Sequence, residues 1–376
     1  MHDSGSRFGS RGRSARYALW LGTSDIYSGG RIHLYQLAWC LASRGAQVDL
    51  LTDRDPLWVR DYPRLPGLSI RRFDDECPRA EPDVIVTDGR EPMAAGALAE
   101  RRRYPDACLV GMSFETRDWV ERHVSATEAL RFVDRLPILS QCDRLLAASE
   151  VSARHLRIEM RGRAYPALPV QIFEPAVNSF AVAASRRGEA FPASVPYAFM
   201  VGRPAEHKNW AQAIDAIWAL DVPFDLVAFG RVRDDAVRPD TSLHRLRRFD
   251  SEDDVMKFRA LRGAEFVLAP STFEGFGMVP AEALCCGVPC VAYDLPVLRQ
   301  VYEDRLVYVP WNDARALAET VARMVADPIS LPGSAALHRR RYGLAAQRRR
   351  IEALGLAERH SRSSPSDAAQ PVGASA

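Results

Sequence analysis

Two glutamates, Glu274 and Glu282, stand in residues 270–289, PSTFEGFGMVPAEALCCGVP, with seven residues between them. A carboxylate pair first suggests acid/base work on a glycosidic bond. Such pairs sit about 5–5.5 Å apart for retention or about 6.5–9.5 Å for inversion. Eight steps of helix rise about 12 Å. The spacing therefore argues against a hydrolytic pair and suits two contacts on separate parts of one extended ligand. The GFG loop at 275–277 puts two glycines just before a helix start, and Pro280 suits the first turn. Free N–H groups at such a start favour an anion, and a diphosphate fits. The plainer reading is a helix cap and a surface glutamate.

Two other loops could meet the same ligand. In VGRPAEHKN, 201–209, Arg203 and Lys208 bracket a strand-to-helix turn. Both could address one phosphate, Arg as a fork and Lys as a point charge. Two solvated cations are an equal reading of those residues alone. Ser28-Gly29-Gly30 lies between the first strand and its helix. Its glycines allow a close backbone approach, but the loop lacks the G-x-G-x-x-G fingerprint of a dinucleotide domain.

These loops must be held by regular elements. Strand-like segments at 17–22, 47–52, 83–87, 108–112 and 145–148 alternate with helix-like segments at 92–103 and 150–160, and with the apolar-periodic run RIHLYQLAWCLASRG. The alternation pauses over 164–196, a Pro- and Ala-rich stretch with the composition of a linker. It resumes with strands at 197–201, 224–230, 266–269 and 288–293 and helices at 209–220, 253–263, 279–287 and 313–326. Alternating strands and helices imply parallel sheets covered on both faces, here two doubly wound α/β units. Such sheets bind ligands at the carboxyl ends of their strands, where all three loops fall.

The second half resembles the donor domain of retaining glycosyltransferases of family 4. The residues that carry the resemblance are VGR…KN at 201–209, VAFG at 227–230, and FVLAPSTFEGFGMVPAEALCCGVPCVA at 266–292, which matches the family's Glu-x7-Glu motif at full length. SGGRIHLYQLAWCLASRGAQVDLLT and CDRLLAASEVSARHLR resemble first-domain segments more loosely. The resemblance implies the GT-B fold, two Rossmann-like domains facing each other across a cleft. It implies an acceptor-side domain over 16–178, a donor domain over 179–335 and a helix over about 336–358 returning to the first domain, while composition makes 1–15 and 359–376 disordered tails.

The activity implied is retaining transfer of a sugar from a nucleotide-diphosphate sugar to a saccharide, lipid-linked or small-molecule acceptor. Arg203 and Lys208 would hold the diphosphate and neutralise the leaving group, and Glu274 would bind donor-sugar hydroxyls. The backbone of Gly275, Phe276, Gly277, Met278 and Val279 would line the sugar and diphosphate, and Glu282 would meet the ribose. Gly29 and Gly30 would approach from the first domain, and Gly202 and Asn209 would complete the donor loop. No cofactor and no metal are expected, and no DxD-like loop is present. Asp234-Asp235 and Asp253-Asp254 read as solvated loop or helix-start acids.

One feature departs from the family. Many members carry a first-domain His near the reacting centre, whereas this chain reads GMSFETRDWVERH. Glu115 or Thr116 is placed in that loop, on the acceptor side. His123 reads as a surface helix residue.

The bulk numbers fit this picture. The chain has 376 residues, 26% charged, and a net charge of +2, which excludes an obvious polyanion binder. Its arginine runs, not interleaved with stacking aromatics, argue against nucleic acid. The Arg-rich terminal helix suggests either a solvated helix packed on the first domain or a peripheral contact with an anionic membrane. Seven cysteines without a CxxC pair read as buried hydrophobes in a reducing cytoplasm. No apolar run approaches membrane length. Two alternatives keep the fold: a phosphorylase or epimerase, and a catalytically impaired sugar-nucleotide-binding scaffold.

Overall fold

The structure, a computed structural model, describes residues 14–22, 29–54, 59–74, 80–130, 132–250, 253–329 and 334–356. Expectations for both tails, Ser28 and Cys77 fall outside these residues. The first half supplies β1 (Arg16–Leu21), β2 (Gln47–Thr52), β3 (Leu68–Arg72), β4 (Val84–Thr87), β5 (Cys108–Ser113), β6 (Arg144–Ala147) and β7 (Val170–Ile172). All pair in parallel, in the spatial order β3-β2-β1-β4-β5-β6-β7. The second half supplies β8 (Tyr197–Val201), β9 (Asp225–Phe229), β10 (Leu246–Phe249), β11 (Phe266–Ala269), β12 (Cys290–Tyr293) and β13 (Val307–Val309). These form a second parallel sheet, in the order β10-β9-β8-β11-β12-β13. Helices cover both sheets, and the chain has the GT-B architecture.

In each sheet the strand order reverses at one place, between β1 and β4 and between β8 and β11. Crossovers leave in opposite directions there and open a crevice beyond the strand ends. Gly29 and Gly30 open the helix Gly29–Ala42 that comes after β1, and Arg90 follows β4. Arg203 follows β8, and Glu274 follows β11. The two crevices contribute to one cleft.

The strands central to each sheet are apolar and buried along their length, as in β4, β9, β11 and β12. Four strands had no expectation from the sequence: β3, β7, β10 and β13. All four are sheet edges. Their side chains are largely half-exposed, so they lack the continuous apolar run of a buried parallel strand.

The stretch 164–196, expected as a linker, contains β7 and the helix Ser179–Ala184, capped by Asn178 through Phe180 and Ala181. Gln36, in the helix Gly29–Ala42, clamps this crossing. Its Nε2 donates to the carbonyl of Ala176 at 2.7 Å, and its Oε1 accepts from the Ala176 amide at 3.1 Å.

The single terminal helix expected over about 336–358 is two helices, broken at Gly343. Ser334–Tyr342 packs on the second domain against Met278–Cys286. Leu344–Leu354 crosses to the first domain and packs against Gly29–Ala42. The arginines here are largely engaged internally. Arg339 donates to the Cys285 carbonyl at 2.8 Å, Arg348 to that of Ser43 and Arg349 to that of Arg340, while Arg350 pairs with Glu174. The described cysteines are free thiols, buried or half-buried. Among the described residues, no helix is long and apolar enough to cross a membrane.

Candidate active site

The cleft between the sheets has a volume of about 530 Å³. On its second-domain wall, β8 delivers the loop carrying Arg203 and Lys208. Trp210, fully buried, donates from Nε1 to the Arg203 carbonyl at 3.0 Å and pins the loop to the following helix. Asn209, at φ 57°, makes the left-handed turn between them. Asn tolerates that conformation better than most residues.

Lys208 Nζ donates to Glu274 Oε1 at 2.6 Å. Each side chain is about one-sixth exposed, at 16% and 15%. The pair joins the β8 and β11 loops across the second sheet's switch point. The amide of Thr272 also donates to the His207 carbonyl at 2.8 Å, so the two loops are tied at the backbone. Gly277, at φ 87°, is the N-cap of Met278–Cys286 and supplies no side chain to the helix's first amides. A Cβ there would lie 2.5 Å from Leu298 Cδ2. Tyr302, buried, holds the Gly277 carbonyl through its hydroxyl. The helix start is thus rigid, with amides open to a ligand.

Glu282, buried in the same helix, accepts from Lys257 Nζ at 2.8 Å. Lys257 also contacts Asp254 Oδ1 at 2.8 Å, and Asn178 Nδ2 donates to Asp254 Oδ2 at 2.9 Å. Burial raises the Glu282 carboxyl above its usual range, partly offset by Lys257. Asp254 is thus a helix-start acid, the first residue of Asp254–Arg262, but it is buried in an ion cluster beneath the cleft rather than solvated. Asp253 caps its helix through the Met256 amide. The sequence offered one clue to Lys257, its place one helical turn after Asp254.

The first domain closes over this wall. Gly275 donates no side chain to the contact: a Cβ on it would lie 2.6 Å from the Phe114 carbonyl oxygen. Its own carbonyl accepts from Ser149 Oγ at 2.8 Å. Gly29 faces Met278, and Gly30 lies under Phe114 and Arg90. Ser125 adds a further bridge, donating from Oγ to Glu206 Oε2 at 2.6 Å.

Of the residues expected from the sequence, Gly29, Gly30, Glu115, Gly202, Arg203, Lys208, Glu274, Gly275, Phe276, Gly277, Met278, Val279 and Glu282 all line this one cleft. Two do not. Asn209 turns its side-chain amide to Tyr293 and Asn312 and serves the turn. Thr116 is buried, and its hydroxyl donates to Glu159. Its loop position was legible in the sequence, but the direction of its side chain was not. His123 lies just past the short helix Arg117–Glu121, half-buried beside Phe273. Arg90, which the sequence did not single out, also lines the cleft from the first-domain side.

Comparison with known proteins agrees with this geometry. Residues 182–349 match the family model described as "Glycosyl transferases group 1". A phosphatidyl-myo-inositol mannosyltransferase from Mycobacterium leprae is 24% identical over 346 residues, covering 81% of this chain and 86% of that protein. A D-inositol 3-phosphate glycosyltransferase from Mycolicibacterium smegmatis is 25% identical over 237 residues, and the match spans 53% of its length. A sucrose-phosphate synthase from Thermosynechococcus elongatus superposes with a TM-score of 0.67 at 20% identity, covering 91% of this chain and 98% of that one. HepE from Anabaena, solved with UDP and glucose, gives 0.67 at 14% identity and covers 91% and 99%. The donor motif is mounted on the switch point of a second parallel sheet, the group 1 glycosyl transferase model matches residues 182–349 of that half, and the chain is a glycosyltransferase similar to that family.

Proposed function

We propose that the chain transfers a sugar, with retention of anomeric configuration, from a nucleotide-diphosphate sugar to an acceptor hydroxyl held against the first domain. The observation that carries this reading is the Lys208–Glu274 pair at 2.6 Å, beside Arg203 and above the open start of Met278–Cys286. Lys208 and Glu274 neutralise each other as a pair. A bound diphosphate recruits Lys208 with Arg203, and Glu274 is released to accept hydroxyls of the donor sugar. As the anomeric C–O bond breaks, charge grows on the diphosphate, and the two cations and the helix-start amides stabilise it. The proposal uses no resident metal or cofactor.

Glu282 would face the ribose with Lys257 beside it, and Glu115 would face the acceptor from the loop after β5. The terminal arginines are largely held by carbonyls and Glu174. The test is the anomeric configuration of a product, read by NMR. Retention supports the reading, and an inverted product refutes it.

A further inference from the structure

Residues 310–313, PWND, follow β13 and lead into the helix Ala314–Ala326. The turn is fixed at both ends. The Asp313 amide donates to the Pro310 carbonyl at 3.2 Å, and the Asp313 carboxylate caps the helix through the Ala316 amide at 2.9 Å. Inside the turn Asn312 is left-handed, at φ 54°, which Asn tolerates better than most residues. Trp311 is 52% exposed, so burial does not fix its ring. A hydrogen bond does: Nε1 donates to the Thr272 carbonyl at 3.1 Å. The Thr272 peptide leads directly into Phe273 and Glu274. The Thr272 amide donates to the His207 carbonyl at 2.8 Å, and Phe273 meets Trp119 of the first domain with ring centroids 4.7 Å apart. The Trp311 bond therefore holds the segment that carries Glu274.

Asn312 reaches the other donor loop. Its Oδ1 accepts from Asn209 Nδ2 at 3.3 Å and from Gln212 Nε2 at 3.1 Å. Asn209 follows Lys208 directly and makes its own left-handed turn. Its Nδ2 also donates to the hydroxyl of buried Tyr293 at 3.4 Å, and that hydroxyl donates to Gln212 Oε1. Asn209, Gln212, Tyr293 and Asn312 thus close a ring of hydrogen bonds around the turn that aims Lys208. Lys208 and Glu274 stand on separate loops, and their 2.6 Å contact needs both loops in register. One short turn, tied to each loop by adjacent side chains, sets that register without lining the cleft itself. Displacing a reacting group by about 1 Å costs on the order of 100-fold in rate.

We propose that Trp311 and Asn312 are positioning residues for the transfer. Trp311 sets the Glu274 loop and, through it, the donor sugar. Asn312 sets the Lys208 loop and, through it, the diphosphate. This rests on the transferase reading above. The two residues act on different parts of one donor, so their defects separate.

Three variants of the full chain test it. Trp311→Phe keeps a ring and removes the Nε1–H. Asn312→Gly keeps the left-handed turn and removes the acceptor oxygen. Asn312→Asp keeps the acceptor and serves as the rescue. Hydrogen–deuterium exchange without ligand, read by mass spectrometry, reports on the loops directly. Trp311→Phe should speed exchange over 270–277, and Asn312→Gly over 202–209, with β8 and β11 unchanged in both. Asn312→Asp should match the wild type. Unchanged exchange in both loops overturns the proposal.

UDP, GDP, ADP and dTDP are then titrated calorimetrically, and turnover is measured with the glucose and mannose conjugates of the nucleotide that binds. Asn312→Gly should weaken that nucleotide by about three- to tenfold, the size of one hydrogen bond, and Asn312→Asp should restore it. Trp311→Phe should leave the affinity within about twofold and lower kcat by about tenfold or more. Full turnover by Trp311→Phe, a Trp311→Phe defect confined to nucleotide affinity, or no rescue by Asn312→Asp overturns the proposal. If exchange responds as stated but no nucleotide binds the wild type, the transferase reading fails, and the hold of this turn on the two loops stands by itself.

Discussion

Lys208 and Glu274 sit on loops that leave different strands, so their 2.6 Å contact depends on the whole second sheet. Replacing Lys208 by Ala removes one of the cations that meet the leaving group. Removing one such stabilising donor typically lowers turnover by about 10²–10³-fold. We expect a loss of that order in kcat/KM, read by product formation, with some loss of thermal stability because Glu274 is left mostly buried without its partner. A second prediction concerns His33. It is fully buried, stacked on Phe173, with neither ring nitrogen hydrogen-bonded among the described residues. Burial, with a smaller contribution from Arg350, lowers its pKa from 6.5 to about 3. The unfolded chain therefore binds a proton at His33 between those values while the folded chain does not. Stability is unaffected above pH 6.5 and declines as pH falls from 6.5 towards 3. His33→Phe should flatten that decline in melts run across this range; an unchanged slope would show that His33 does not contribute.

At the scale of elements, the central strands and the donor-loop helix could be read from sequence because burial on both faces writes a continuous apolar run. The edge strands β3, β7, β10 and β13 could not, since half-exposed edges mix polar and apolar residues. The donor half of the site was legible for a related reason: Arg203, Lys208, Glu274 and Glu282 lie in short loops and a helix start whose position follows from the strands. Asn209 and Thr116 were misplaced because loop position does not fix which way a side chain turns. Arg90 was missed because it lies in the loop after β4 and reaches the cleft only through the order of the first sheet. Gly275 gives the element-scale prediction. Its backbone meets the Phe114 carbonyl so closely that a Cβ would lie 2.6 Å away. Gly275→Ala should therefore hold the domains apart, lowering transfer at least tenfold while each domain stays folded. Wild-type activity in this variant would show that the contact is not needed for turnover.

The whole molecule is two sheets joined twice, by the crossing after β7 and by the helix Leu344–Leu354. That returning helix buries Leu344, Ile351 and Leu354 and is followed by buried Leu356. Burying each such side chain contributes about 1.5–3 kcal/mol, against a net stability of about 5–15 kcal/mol for a typical protein. Deleting residues 344–376 should therefore unfold or aggregate the first domain, seen as a lost or sharply lowered melting transition. A melt matching the full chain would show the helix to be dispensable. The central claim is that the cleft between these sheets binds a nucleotide-diphosphate sugar through Arg203 and Lys208. Its most direct test is calorimetric titration of the full chain, and of Arg203→Ala/Lys208→Ala, with a panel of nucleotide diphosphates and their sugars. The account predicts saturable binding of at least one nucleotide, weakened at least tenfold in the double variant. Absence of nucleotide binding by the wild type, or equal binding by both proteins, would contradict it.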